Sequence, residues 1–346
     1  MTNLEGSVRF VCNRQRGVHP RRPFWGLWKA ALLLLALLAV ALSGCDLLSK
    51  EPGQLKVGVL PILDVLPLYV AEQEGFFTAE GLAVELVPFS SALERDVALQ
   101  AGQIDAEVND LISAALLNKE DDRVRVVRTA MRATLQKAMF AILSSDQAIR
   151  SPEGLKGVKI GISTNSIIEY VVDRLLQAEG LAGQDIVKEE VAKIPVRLEL
   201  LSNGKLPAAC LPEPLASLAV AQGAHIVIDD RAHPEYAQSV VTVSARTLGS
   251  KPTAVKRFLK AYEQAVQAIN NEPEKYRSLL IDKGRVPQPV QDSFEMPVFP
   301  SAGVPTVDEV RDVWEWMSSK GMIADDMRSK PAQEVYDKLV AAQFLP

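Results

Sequence analysis

A chain of 346 residues, 48% hydrophobic and 23% charged, fits two globular domains better than one, and no low-complexity tract or fixed-period repeat interrupts it. The formal net charge is −5, yet the first 44 residues hold six of the Lys/Arg and one of the acids, so the rest carries 32 basic against 42 acidic residues. With no Lys/Arg run interleaved with aromatics after residue 44, that balance argues against a nucleic-acid partner.

The chain opens with Arg14, Arg16, Arg21, Arg22 and Lys29, followed by an uninterrupted apolar run from Ala30 to Leu42 and then Ser43-Gly44-Cys45. A run this short, basic before and small after, predicts an export signal over 1–44 and no spanning helix. Leu42-Ser43-Gly44-Cys45 resembles the lipobox of bacterial lipoproteins, which implies cleavage before Cys45 and lipid on its thiol. Each acyl CH₂ buried in a bilayer contributes about 0.8 kcal/mol, so several chains would hold the protein at a membrane. Once Cys12 leaves with the signal and Cys45 carries lipid, Cys210 is the remaining thiol; no internal disulfide is open to the fold, and Cys210 reads as a small buried hydrophobe. Residues 45–54 read as a tether.

From Leu55 strands and helices alternate. LKVGVLPI reads as a strand and Leu66 to Glu74 as a helix stopped at Gly75. Strands then fall at Val84 to Phe89, Ile104 to Val108 and Val124 to Thr129. Between them lie helices at Ser91 to Gln100, with Leu93, Val97 and Leu99 inward, and at Leu111 to Asn118. Further on, Val158, Ile160 and Ile162 form a strand, Ser163-Thr164-Asn165-Ser166 a polar turn, and Ile167 to Leu176 a helix. Such alternation predicts a mainly parallel sheet covered by helices, with ligands at the carboxyl ends of the strands. Helices are also predicted at Pro252 to Asn270, Val307 to Ser318 and Ala332 to Phe344; Trp314 and Trp316 cannot share one face of the second, and neither is given a ligand role.

The strand ends carry the candidate residues: Asp64, Leu66 and Tyr69 after the first strand, then Ser90 and Ser91, Asn109 and Asp110, Ser163 to Ser166, and Glu213 between Pro212 and Pro214. Each also has a structural reading. Serines, Asn109 and Asp110 cap helices, Tyr69 packs in the core, and Glu213 answers a helix dipole. Arg132 is either a bidentate anion contact or a solvated charge.

PLYVAEQEGFFTAEGLAVELVPFSSALERDVALQAGQIDAEVND is similar to the opening of periplasmic-type substrate-binding proteins of ABC importers, in particular those for aliphatic sulfonates, taurine, nitrate or the thiamine pyrimidine precursor. Leu155-Lys156-Gly157 with Ile160 to Ser166, and Glu213-Pro214 with Leu215-Ala216, extend the resemblance over roughly Leu55 to Leu280. Pro207 and Pro212 depart from the family pattern, which bears on substrate more than on fold. The resemblance implies an α/β, two-lobed type II binding-protein fold, each lobe a mixed, mainly parallel sheet flanked by helices, with the ligand in the cleft. Lobe one falls at 55–142 plus 245–346 and lobe two at 143–240, with Ala138 to Leu143 and Ser239 to Val243 as the crossovers. It implies a lipid-anchored, extracytoplasmic monomer that delivers a small molecule to an ABC permease and ATPase, without cofactor or metal. Helix starts at Ser91, Asp110 and Asn165 would aim N–H groups at a polar end of the ligand, with Tyr69 and Tyr170 covering the rest. A flat heterocycle would want stacking partners, and aromatics are 6% of residues, which favours a small organic anion such as a sulfonate. The alternatives are an enzyme of the same fold, pyrimidine-synthase-like or menaquinone-pathway-lyase-like, and a ligand-sensing receptor.

Overall fold

The computed structural model describes residues 53–324 and 328–346; the expected leader, Cys45 and residues 46–52 of the tether lie outside them. Gly53 and Gln54, placed in the tether by sequence, are the first residues of strand β1 (Gly53–Val59), where Gly53 pairs with Leu82.

Alternating burial along β1 turns Leu55, Val57 and Val59 into the core, and the chain then runs strand by helix as the pattern predicts. The first half comprises α1 (Leu66–Gln73), β2 (Leu82–Pro88), α2 (Ala92–Gln100), β3 (Ala106–Asn109), α3 (Leu111–Leu117) and β4 (Val124–Arg132). The second comprises β5 (Phe140–Ser144), β6 (Lys159–Ile162), α4 (Ile167–Ala178), β7 (Val187–Glu190), α5 (Ile194–Ser202), β8 (Ala208–Pro212), α6 (Leu215–Ala221) and β9 (His225–Asp229). Strand β10 (Gln238–Ser244) returns to the first sheet, and α7 (Pro252–Asn271), α8 (Arg277–Lys283), α9 (Val307–Ser319) and α10 (Ala332–Leu339) complete that lobe; shorter helical turns carry no label.

The strand orders are β2-β1-β3-β10-β4 and β7-β6-β8-β5-β9. The two sheets are one pattern used twice: three parallel strands, then one antiparallel strand (β10 or β5), then the edge strand. The antiparallel strands are the two segments expected to be crossovers. Instead Phe140–Ser144 pairs wholly with β8 and β9, and Gln238–Ser244 lies between β3 and β4. Residues 140–142 therefore belong to the second lobe and 238–240 to the first, because burial on both faces makes a central strand and a connecting segment look alike in sequence.

The side-chain detail repeats as well. A Cβ at Gly58 would stand 2.6 Å from Ile104 Cδ1 and 3.0 Å from Arg95 Cγ, and one at Gly161 would stand 2.7 Å from Leu206 Cδ1 and 3.2 Å from Arg197 Cγ. Glycine on the first strand of each sheet thus admits an arginine from the covering helix. That overturns the expected face of α2. Leu93 and Val97 are 73% and 53% exposed, and Arg95, at 2%, points inward with Ala98 and Leu99. The helix turns this way because Arg95 finds partners inside, and Leu93 and Val97 lie off the 95, 98, 99 stripe.

The connecting segments, 133–139 and 230–237, run side by side. Ala133 N–H donates to Ala237 O at 2.9 Å, and the buried carboxylate of Asp230 accepts Met139 N–H at 3.0 Å and Phe140 N–H at 2.9 Å. Asp230→Ala leaves both N–H groups without their acceptor, at a cost of about 2–3 kcal/mol. The expected result is a lower urea midpoint together with faster hydrogen exchange at Met139 and Phe140.

The lobes also meet through α4 and α9. Tyr170 Oη and Arg174 Nε donate to Asp312 Oδ2 at 2.5 and 2.9 Å, and Trp316 Nε1 donates to Asp173 Oδ2 at 2.9 Å. Trp316 is buried and Trp314 partly so, as their spacing requires. Helix α10 stops at Leu339, short of the expected Phe344, because Val340 bridges to Val126 and Ala341 N–H donates to Val126 O at 2.8 Å. Among the described residues no helix is long and apolar enough to cross a membrane.

Candidate functional site

Where the carboxyl ends of both sheets face each other they enclose a cavity of about 90 Å³. Of the residues predicted from sequence, Asp64, Ser91, Asn109, Asp110, Ser163, Ser166 and Glu213 line it. Its apolar wall comes from both lobes and from the connecting segments, and includes Leu60, Met131, Met139, Phe140 and Ile194.

The remaining candidates lie elsewhere, each for a visible reason. Leu66 is core, and Tyr69 packs beside Lys283, whose Nζ stands 5.5 Å from its ring centroid. Ser90 is an exposed partner of Glu94, with Oγ 2.6 Å from Oε2. Thr164 N–H donates to Glu190 Oε2 at 2.6 Å, and Asn165, at φ 55, donates its N–H to Glu169 Oε2 at 2.8 Å. Tyr170 sits in the contact between lobes, edge-on to Trp316. Arg132 forms a fork with Glu309, NH1 to Oε1 at 2.7 Å and NH2 to Oε2 at 3.1 Å, outside the cavity lining.

The helix starts expected to offer N–H groups are already capped from within. Ser91 Oγ accepts Glu94 N–H at 3.3 Å, Asp110 Oδ1 accepts Ser113 N–H at 2.8 Å, and Ser166 Oγ accepts Ile168 N–H at 3.2 Å. With Glu190 and Glu169 on the turn before α4, the positive helix ends face the chain's own oxygens. Ser163 is occupied too, because its Oγ accepts from Arg197 NH2 and donates to Ala192 O at 3.1 Å.

The charged groups of the cavity are chiefly acidic. Asp64 lies on the turn Leu63–Val65 between β1 and α1, is 5% exposed, and has no hydrogen-bond partner for Oδ1. Burial raises its pKa to about 6; Ser239 and Arg95 pull it down, and Asp110 pushes it further up. Asp110 likewise rises to about 6 through burial, against the Ser113 N–H and Arg95. Burial also raises Glu213, whose Oε2 accepts Ser217 N–H at 3.2 Å. Beneath them Asn109 Nδ2 donates to Glu107 Oε1 at 2.6 Å, and burial lifts Glu107 to about 8 despite Arg95 beside it.

Sequence reasoning missed the two arginines that underlie the site. Arg95 NH1 donates to Val108 O at 2.8 Å, its Nε and NH2 donate to Asp96 Oδ1 at 3.1 and 2.7 Å, and Glu107 Oε2 lies 3.4 Å from Nε. Burial opposes its charge, but Asp96 and Glu107 outweigh that and hold its pKa above the ordinary value. Arg197 makes the same reach in the second lobe, NH1 to Cys210 O at 2.8 Å, but its other acceptors are Ser163 Oγ and Val191 O, and burial draws its pKa down to about 10. The nearly equal spacing of Gly58 to Arg95 and Gly161 to Arg197 is the one trace of this in the sequence, and it emerges only once the two sheets are overlaid.

Cys210 is fully buried and its thiol is pushed up to about 12, so it stays a neutral core residue. His225 Nε2 contacts Ile149 O at 2.5 Å and His233 lies between Glu179 and Glu235, both outside the cavity. Among the described residues no three Cys, His, Asp or Glu converge as metal ligands.

Two sheets of one topology, two connecting segments and a cavity between the strand ends define a two-lobed binding-protein fold. The chain belongs to the NMT1/THI5-like family, whose model matches residues 63–276. It is 23% identical over 248 residues to a Bacillus subtilis protein named as an aliphatic sulfonates-binding protein, covering 69% of this chain and 73% of that one. It is also 23% identical over 339 residues to a Brachyspira hyodysenteriae protein named as an ABC transporter periplasmic binding protein, covering 90% and 96%. The crystal structure of the periplasmic aliphatic sulphonate binding protein SsuA from Escherichia coli superposes with a TM-score of 0.69 at 17% identity, over 85% of this chain and 92% of that one. These similarities agree with the α/β two-lobed architecture expected from sequence.

Proposed function

We propose that the protein is the extracytoplasmic solute-binding component of an ABC import system, held to the membrane by lipid on Cys45, and that it takes a small organic molecule into the cavity between its lobes. The observation that carries this reading is the cavity itself, walled by both lobes and by the segments joining them, so that a ligand inside touches both halves. A ligand with contacts to both lobes stabilises the closed arrangement over the open one, and closure is the signal a permease can read. The relative named as an ABC transporter periplasmic binding protein, with the one named as a sulfonates-binding protein, supports the import role over sensing or catalysis. Cys210, His225 and His233, placed away from the cavity, supply it with neither nucleophile nor proton shuttle.

The test is a screen of small organic anions, cations and neutral heterocycles by melting temperature and small-angle scattering. A ligand at 100 times its Kd should add about 2.7 kcal/mol, and the same compound should reduce the radius of gyration. A compound that is turned over, or a full panel that changes neither quantity, rejects the reading. Replacement of Cys45 by Ser should abolish lipid labelling and move the protein out of the membrane fraction; retention of both removes the anchor from the proposal.

A further inference from the structure

The acidic side of the cavity identifies the kind of group it receives. Building on the solute-binding reading above, we propose that the cavity takes a ligand with a cationic N–H donor, a protonated amine or an amidinium, seated at Asp64 and Asp110 with its apolar body against Leu60, Met131, Met139 and Phe140.

Three independent observations point to this. Asp64 and Ser239 both line the cavity, both are 5% exposed, and neither Asp64 Oδ1 nor Ser239 Oγ completes a hydrogen bond. The Ser239 hydroxyl lies close enough to Asp64 to lower its pKa, but it brings no positive charge. A buried carboxylate oxygen without a donor is costly, and a charged N–H is the group that offsets it best. Second, the charges that line the cavity are Asp64, Asp110, Glu213 and Arg95, and every nitrogen of Arg95 is already bonded to Asp96 or to Val108 O. Asp64 and Asp110 therefore share a guanidinium that Asp96 and Glu107 already neutralise, while Glu213 has Arg231 near it. Third, the groups an anion would use are taken. The turn before α4 gives its N–H groups to Glu190 and Glu169, Ser163 is held by Arg197, and the starts of α2 and α3 are capped by Ser91 and Asp110. A sulfonate placed here would meet carboxylates, with the Ser239 hydroxyl as the unpaired side-chain donor on that wall. Water can donate to Asp64, but it brings no positive charge to balance Asp64 and Asp110.

The inference is tested with butylamine and benzamidine against butanesulfonate, by calorimetry and melting temperature on the purified protein and on Asp64→Asn and Asp110→Asn. Both changes keep side-chain shape, and asparagine keeps the cap on α3. The expected result is binding of at least one amine probe, no binding of butanesulfonate, and affinity for the amine about tenfold weaker in each folded variant, a loss of about 1.4 kcal/mol. Circular dichroism checks that the variants fold. Binding of butanesulfonate alone overturns the cation assignment and leaves the solute-binding function standing. Silence from both amines, or amine binding that Asp64→Asn and Asp110→Asn leave unchanged, also overturns it. A melting shift from Zn²⁺ or Mg²⁺ that displaces the amine overturns it in favour of a metal. Failure of the function itself would look different, as the absence of ligand-driven closure across the whole wider panel.

Discussion

Asp173→Ala is expected to lower stability by about 3 kcal/mol, and the melting temperature by roughly 6–12 °C. Asp173 is buried on the inner face of α4 and accepts from three donors, two at the end of α9 and one on β7. Trp316 Nε1 reaches Oδ2 at 2.9 Å from α9, Lys188 Nζ lies 3.0 Å from both oxygens on β7, and Lys320 Nζ lies 2.6 Å from Oδ2. Glu169 shares the two lysines, at 2.7 and 3.4 Å. Removing Asp173 strands the indole N–H of a buried tryptophan and leaves two ammonium groups on one carboxylate. The lysine side chains are 18% and 30% exposed, so water relieves part of that loss, and the lower end of the range for a broken buried pair applies. Asp173→Asn keeps an acceptor for Trp316 and should recover about 1 kcal/mol of the loss. Combined with Trp316→Phe, Asp173→Ala should cost less than the sum of the two, since they remove one bond twice. A loss below about 1 kcal/mol for the alanine variant would place this network among ordinary surface ion pairs. The same bonds join one lobe to the other, so the variant should also scatter as a more open particle.

How far the sequence carried this reading depended on the range of the interaction concerned. Periodicity located most helices and strands to within one to three residues, because alternating burial is written locally. Side-chain orientation was legible where apolar residues set it, as in α4, and failed in α2. There Arg95 is buried and Leu93 exposed, since what decides the rotation is the reach of Arg95 to Glu107 and Val108 O on β3 rather than hydrophobicity. The polar strand ends were identified as the floor of the cavity, yet their use was not. Glu190, which occupies Thr164 N–H, lies 26 residues away, and Glu309, which occupies Arg132, lies 177 residues away. Pairings at such separation leave no periodic mark. The helix starts therefore looked open to an anion when the fold had already closed them. Nor did the doubling of the fold appear as a repeat, because what is repeated is Gly against Arg on matching strands, two positions in each lobe.

Stability of the ligand-free protein should rise as pH falls from 8 to 5, opposite to the usual behaviour of a fold held by ionised carboxylates. The groups responsible are Asp64 and Asp110, raised to about 6, Asp230, raised to about 7, and Glu107, raised to about 8, against ordinary values of 3.8 and 4.5. In each, burial favours the neutral acid in the native state. A folded pKa above the unfolded one means the native state binds protons that the unfolded chain has released. The stabilisation is complete below the unfolded value and is lost as pH climbs through the folded one. Each group contributes about 1.4 kcal/mol per pH unit inside its own window. Asp64, Asp110, Glu107 and Arg95 act on one another, so protonating one acid relieves the next and the total falls below the sum; on the order of 3–5 kcal/mol between pH 8 and 5 is expected. Asp105 and Glu309, whose pKa values are lowered, titrate below that window and do not oppose the trend within it. Melting curves across this range should move by about 10 °C. Asp64→Asn should raise the melting temperature at pH 8 and flatten the slope, since it removes an uncompensated charge without removing volume. A melting temperature that is level or falls from pH 8 to 5 would mean that these acids are already ionised and solvated in the folded protein. The prediction also separates stability from function. The substitution expected to stabilise the empty protein is the one expected to weaken its hold on a cationic ligand, which is how an acidic pocket kept for binding differs from one kept for folding.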